Sequence, residues 1–209
     1  MNSQTQEFSL TGSAGLLECR LDKPEHTPRG VALIAHPHPL YGGTMDNKVV
    51  QTLARAFIAV GYVSVRMNFR GVGKSEGSHD AGEGETDDMA LLHAHMASIY
   101  PDLPIALAGF SFGTFVQSQL QQRLITLDNP AERLVLVGCA AGKWAMPTAP
   151  SDTLLIHGEQ DDTIPLSDVL DWARPQDLPV IVIPGADHFF HRKLHHIKQL
   201  VTDYWRHSA

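Results

Sequence analysis

The chain is poor in cysteine: of its 209 residues only Cys19 and Cys139 carry a thiol, each in an apolar, strand-like setting. That leaves no disulfide framework and no zinc cluster, so a hydrophobic core must hold the fold, with both thiols buried as small apolar side chains. Blocks of Lys or Arg are also missing, and the formal net charge is −7. Nucleic acid and anionic membrane surfaces both demand concentrated positive charge, so neither is expected as a partner, and a small or neutral substrate suits the chain better. No stretch approaches the roughly 18 consecutive apolar residues of a membrane span. The opening MNSQTQEFSL lacks the basic-then-apolar pattern of a secretory leader, which predicts a cytoplasmic protein. No repeat or low-complexity linker divides the sequence, and its length suits one domain, residues 1–209.

What is present is the composition of a packed globular protein, 43% hydrophobic and 19% charged. Apolar runs at residues 8–10 and 16–21 flank the glycine-bearing segment 11–15, the pattern of an antiparallel hairpin. From Gly30 onward, strands are expected at 31–35, 62–67, 105–108, 134–137, 154–157 and 180–183, alternating with helices at 46–60, 83–99, 112–127, 166–173 and 189–205. This alternation signals parallel βαβ units with helices on both faces of the sheet. Such sheets place their chemistry in the loops leaving the carboxyl ends of the strands. The connection 139–152, with Pro147 and Pro150, is too short for an inserted lid, which predicts a site open to solvent.

The pentapeptide Gly109-Phe110-Ser111-Phe112-Gly113 falls where a predicted strand gives way to a predicted helix. A G-x-S-x-G turn in that position lifts a serine hydroxyl above the sheet edge, with glycines removing side chains that would collide in the bend. A serine hydroxyl is a weak nucleophile at neutral pH, so it needs an imidazole base and a carboxylate to orient that base. Two more loops at the same edge supply them: His157-Gly158-Glu159-Gln160-Asp161-Asp162-Thr163-Ile164-Pro165, and Pro184-Gly185-Ala186-Asp187-His188-Phe189-Phe190. His188 is the candidate base because it follows the last strand directly, and Asp187 is read as a neighbour that shapes the turn. The other histidines have plainer readings. His191, His195 and His196 fall in the expected last helix, and His93 and His95, two apart on another helix, face different ways. Solvated helix faces account for all five. His191 and His195 are spaced like a metal-binding pair but have no third ligand in the motif, so no metal is expected.

The tetrahedral intermediate of acyl transfer needs preorganised N–H donors for its oxyanion. Phe112 N–H, following the serine at a helix N-terminus, is one candidate. The second is sought in His36-Pro37-His38-Pro39-Leu40-Tyr41-Gly42-Gly43, where the two prolines have no N–H to give, leaving His38 N–H first, with Leu40 or Tyr41 as alternatives. The side chains of His36 and His38 are expected to hold this loop in place. Tyr41, Trp144, Met146, Phe189 and Phe190 lie in loops around the site and are candidates for an apolar substrate wall. Gly73-Lys74-Ser75 ends like a phosphate-binding loop, but Asn68 stands where that motif needs its first glycine, and a tight turn is expected instead.

With these motifs together, the chain resembles the α/β-hydrolase superfamily in its compact, lidless bacterial branch. The resemblance is carried by Gly109 to Gly113, the G-x-x-D-x-x-I-P run from Gly158 to Pro165, Gly185-Ala186-Asp187-His188, the Asn68-Phe69-Arg70-Gly71 turn, and the order Ser111, Asp161, His188. It implies an α/β-hydrolase fold: a mostly parallel twisted sheet with an antiparallel N-terminal hairpin, helices on both faces and no cap domain. By that likeness Asp161 is the triad acid, with Asp162 and Glu159 as the competing carboxylates. The implied activity is cofactor-free hydrolysis of a small carboxylic ester by Ser111, His188 and Asp161 through an acyl-enzyme. Thioester or amide hydrolysis uses the same machinery, and a non-catalytic binding protein on the same fold is the alternative of another kind.

Overall fold

The structure is a computed structural model that describes residues 5–206; residues 1–4, part of the opening segment read above for a leader, and 207–209 lie outside the described residues. Among the described residues, eight strands form one sheet in the order β1-β2-β4-β3-β5-β6-β7-β8. β1 (Gln6–Gly12) and β2 (Gly15–Asp22) make the N-terminal hairpin, in register from Gln6 opposite Leu21 to Gly12 opposite Gly15. β2 runs antiparallel to β4 (Tyr62–Met67). β3 (Gly30–Ala35), β4, β5 (Ile105–Phe110), β6 (Leu134–Val137), β7 (Leu154–Gly158) and β8 (Val180–Ile183) run parallel to one another.

The period-2 alternation of the strands splits the core in two. Val31, Leu33 and Ala35 of β3 face one apolar cluster, whereas Ala32 and Ile34 face the other. On the first face lie α2 (Glu83–Ile99), α3 (Phe112–Thr126) and α4 (Leu166–Ala173), which contribute Met89, Val116 and Val169. The second face is covered by α1 (Lys48–Ala59) and α5 (Leu194–Arg206), where Trp205 meets Phe57 edge-on at 5.0 Å. α1 starts two residues later than the periodicity suggests because Asn47 acts as its cap, its side chain accepting from Val49 N at 2.8 Å.

The last helix starts at Leu194, not at residue 189. Phe190 (φ 53°) and Arg192 (φ 63°) adopt left-handed backbone, and Asp187 accepts from both the backbone N–H and the ring of His191. A capped turn therefore occupies the segment, and His191 is not on the helix with His195. His93 is also corrected: it is 8% exposed, on the buried side of α2 rather than solvated, and burial lowers its pKa. No helix among the described residues is long and apolar enough to cross a membrane. After β6 the chain passes to β7 with a single isolated bridge, Ala141 to Trp144, and no cap domain.

The chain leaves β3 toward β4 on one side, then crosses back to β5 on the other. The carboxyl ends of β3 and β5 therefore flank a topological switch point, where open α/β sheets form their crevices.

Candidate active site

Ser111 occupies the turn between β5 and α3 with φ 54° and ψ −122°, a backbone conformation that non-glycine residues rarely adopt. Neighbouring backbone holds it there. Ser111 N donates to Val137 O at 3.0 Å, while Thr114 N and Thr114 Oγ1 donate to Ser111 O at 2.8 and 2.6 Å. Both glycines of the motif are steric requirements: a Cβ on Gly109 would lie 2.3 Å from Gly113 O, and one on Gly113 would lie 2.4 Å from Ala35 O. The second contact presses the start of α3 against the end of β3.

Two loops converge on this serine. At the end of β7, Glu159 N donates to Ile183 O at 3.1 Å and Gln160 N to Ala186 O at 2.8 Å, while Gly185 N returns a bond to the Glu159 carboxylate at 2.7 Å. Gly158 permits this close pairing, since its Cβ would sit 2.5 Å from Ala186 O. The result is a continuous chain of hydrogen bonds: the Ser111 hydroxyl lies 3.0 Å from His188 Nε2, and His188 Nδ1 lies 2.7 Å from Asp161 Oδ2. All three residues are buried or nearly so. Asp161 Oδ1 accepts from Thr163 N at 3.0 Å and Ile164 N at 2.7 Å, which fixes the carboxylate. Asp162 is exposed, and Glu159 is engaged with Gly185. The His188 ring packs against Phe110 at 5.0 Å, beside Gly138 (φ 57°), whose added Cβ would come within 3.2 Å of the Phe110 ring.

The loop after β3 faces the serine across the switch point. Gly43 lets it double back, as a Cβ there would lie 2.0 Å from Pro37 O. His36 is fully buried and ties this loop to the next one: its Nδ1 donates to Pro37 O at 2.6 Å and its Nε2 accepts from Phe69 N at 3.0 Å. Burial pulls its pKa down to about 4, so the ring is neutral at ordinary pH. Leu40 N donates to the His38 ring at 3.2 Å and Tyr41 N to His38 O at 3.2 Å. Both alternative oxyanion donors are thus engaged within the turn. Phe112 opens α3, where a first-turn N–H has no intrahelical partner.

A cavity of about 500 Å3 opens beside Ser111, with His38, Tyr41, Phe112, Trp144 and Ile164 among its walls. Trp144 is braced by Phe112 at 4.8 Å and Phe115 at 5.0 Å. Tyr41 is 88% exposed at the mouth. Three expected wall residues stand elsewhere. Met146 packs onto the core cluster instead, and Phe189 sets its ring edge-on to His188 at 5.1 Å, outside the cavity lining. The turn that replaces the first part of the expected helix carries Phe189 to that side. Phe190 is fully buried in the second core cluster.

Ala140, Lys143, Asp162 and Thr163 also line the cavity and went unnoticed as wall residues in the sequence. Thr163 and Asp162 had a signal, since they adjoin the acid loop. His79 had none. Its ring lies 4.6 Å from that of His38, and its Nδ1 is 2.8 Å from the buried Glu85 carboxylate, which also accepts from Gly82 N at the start of α2. Gly73-Lys74-Ser75 forms a turn, with Ser75 Oγ donating to Asn68 O at 2.7 Å.

A mostly parallel sheet with a serine on a strand-to-helix turn, uncovered by any cap domain, defines an α/β hydrolase of the lidless kind. Residues 26–157 match the family described as serine aminopeptidase, S33 (Hydrolase_4), and the chain belongs to that family of serine hydrolases. The matched segment contains Ser111 and ends before Asp161 and His188. An uncharacterized protein of Rickettsia prowazekii is 30% identical over 95% of this chain and 87% of its own length. Among solved structures, a lidless α/β serine hydrolase of Xanthomonas campestris is 31% identical with a TM-score of 0.88, covering 99% of this chain and 96% of that one. An α/β serine hydrolase homologue of Coxiella burnetii is 34% identical with a TM-score of 0.84, and both chains are covered in full.

Proposed function

We propose that the protein hydrolyses small carboxylic esters through an acyl-enzyme on Ser111. The observation that carries this is the pair of contacts at His188, 3.0 Å to the Ser111 hydroxyl and 2.7 Å to the Asp161 carboxylate. His188 Nε2 takes the hydroxyl proton as Ser111 Oγ attacks the ester carbonyl, and Asp161 stabilises the imidazolium through Nδ1–H. The backbone N–H groups of Phe112 and His38 receive the oxyanion, each worth roughly 3 kcal/mol in comparable sites. The imidazolium then returns its proton to the departing alcohol. Water, deprotonated by the same imidazole, releases the acid and regenerates Ser111.

Tyr41 and Trp144 hold the acyl or aryl group against the apolar walls Phe112 and Ile164, and the open cavity favours a compact substrate. Phe189, outside that cavity but 46% exposed beside His188, flanks the leaving-group side. A second reading is favoured by the family's description and by the Asp162 carboxylate in the cavity wall, which offers a partner for a free α-ammonium: removal of an N-terminal residue by the same triad.

A fluorophosphonate probe tests the nucleophile. Stoichiometric labelling at Ser111 is expected, and folded protein that stays unlabelled refutes the hydrolase. Turnover of p-nitrophenyl acetate and butyrate well above that of aminoacyl p-nitroanilides is expected; the reverse order replaces the esterase with the aminopeptidase.

A further inference from the structure

We infer that His157, resting on the proposed triad, is a positioning residue: its Nε2–H clamps the 161–164 turn and thereby holds Asp161 against His188. His157 is the penultimate residue of β7, four residues before Asp161, and is fully buried. Its Nε2 lies 2.9 Å from Ile164 O, an atom that only accepts, so the proton sits on Nε2. The same nitrogen is 3.4 Å from Asp161 Oδ2, the oxygen that His188 uses. Ile164 is thus gripped at both ends: its N–H donates to Asp161 Oδ1 at 2.7 Å, and its C=O accepts from His157. Without the imidazole, the turn that presents both carboxylate oxygens loses its inner brace.

The other nitrogen explains why a histidine can do this without competing for the charge. His157 Nδ1 is buried and has no hydrogen-bond partner among the described residues. A proton placed there would be an unsatisfied buried donor, so the ring stays neutral. Burial lowers its pKa, and the charged groups facing it act in opposite senses: Asp161 favours a proton and a charged His188 opposes one. Two imidazoles therefore meet one carboxylate, and His157, kept neutral, does not compete with His188 for it. His157 does not line the cavity, so it is placed to act through Asp161 rather than on substrate.

The test compares His157→Gln, whose amide nitrogen reaches the Nε2 position, with His157→Leu and His157→Asn, which cannot bond Ile164 O. In p-nitrophenyl ester assays of variants with unchanged circular dichroism, Leu and Asn are expected to lower kcat by about 10- to 100-fold, as small misplacements of catalytic groups do. KM should be unchanged and the acid limb of the kcat/KM profile should move to lower pH, because a loosened Asp161 stabilises the His188 imidazolium less. Gln should restore most of kcat and the original acid limb. Parental kcat in the Leu or Asn variant, or a loss that leaves the acid limb in place and is not rescued by Gln, overturns the proposal. Nitrogen-15 imidazole spectra of the parent protein supply a variant-free check: a doubly protonated His157 at pH 6 would also overturn it. Parent protein that resists fluorophosphonate fails the hydrolase itself; labelled parent with indifferent His157 variants fails only the clamp.

Discussion

Acid should weaken this fold through His36, by an amount that follows from its surroundings. The ring is fully buried, and its two nitrogens are engaged as donor to Pro37 O and acceptor from Phe69 N. A second proton, on Nε2, would face the Phe69 N–H and break that bond. The folded pKa is accordingly near 4, against 6.5 for an unconstrained histidine. Between those values the unfolded chain binds one proton that the folded chain refuses. Stability from this group is therefore complete above pH 6.5 and declines as pH falls toward 4. At pH 4.5 the loss is about 2–3 kcal/mol, from 1.36 kcal/mol per pH unit across most of that interval. His36→Gln can still accept from Phe69 N but does not titrate. Urea denaturation of parent and variant at pH 7.5 and 4.5 removes the contribution of the carboxylates, which both proteins share. The parent should be the more stable at pH 7.5, and its advantage should shrink or reverse at pH 4.5 by that amount. Parallel losses in the two proteins would refute the assignment of the acid sensitivity to His36.

Three further outcomes are expected. Ser111→Ala and His188→Ala should each nearly abolish ester turnover; Ser111→Ala should keep its urea-denaturation free energy within about 1 kcal/mol, whereas His188→Ala removes a buried ring packed on Phe110 and should lose some stability. Asp161→Asn should lower kcat by up to about 10,000-fold through loss of imidazolium stabilisation and a wrong tautomer, whereas Asp162→Asn should retain activity; the opposite pattern would move the acid by one residue. Gly113→Ala should destabilise the protein by about 1–3 kcal/mol in urea denaturation and slow fluorophosphonate labelling, because the added methyl must push α3 away from Ala35 O; a stable, fast-labelling variant would contradict that contact.

Most elements were legible in the sequence because each carries its own local signal. β4, β6 and β8 and the helices α2 and α4 follow the expected bounds, and β3 starts one residue early, since apolar runs and 3.6-residue periodicity reflect the backbone's own geometry. The turn at Ser111 was readable for the same reason, as its two glycines answer clashes within a few residues or with the adjoining strand. The false start of α5 shows the limit of such signals. Helical spacing continues through residues 189–193, yet the Asp187 bond to His191 and the left-handed backbone at Phe190 and Arg192 hold that segment in a turn. His93 carries no mark of burial in its neighbours; the packing of α2 in the assembled fold decides it.

By itself the sequence determined the order of strands and helices, the strained position of one serine, and the identity of the loops that leave the same sheet edge. Only the tertiary structure decided which atoms meet. The 3.0 Å and 2.7 Å contacts at His188, the neutral His36 bridging two loops, the His157 brace and the wall built by Trp144 all join residues far apart along the chain. Strand order and close backbone approach, properties of the assembled sheet, bring these groups together, and no periodicity of neighbouring residues encodes them.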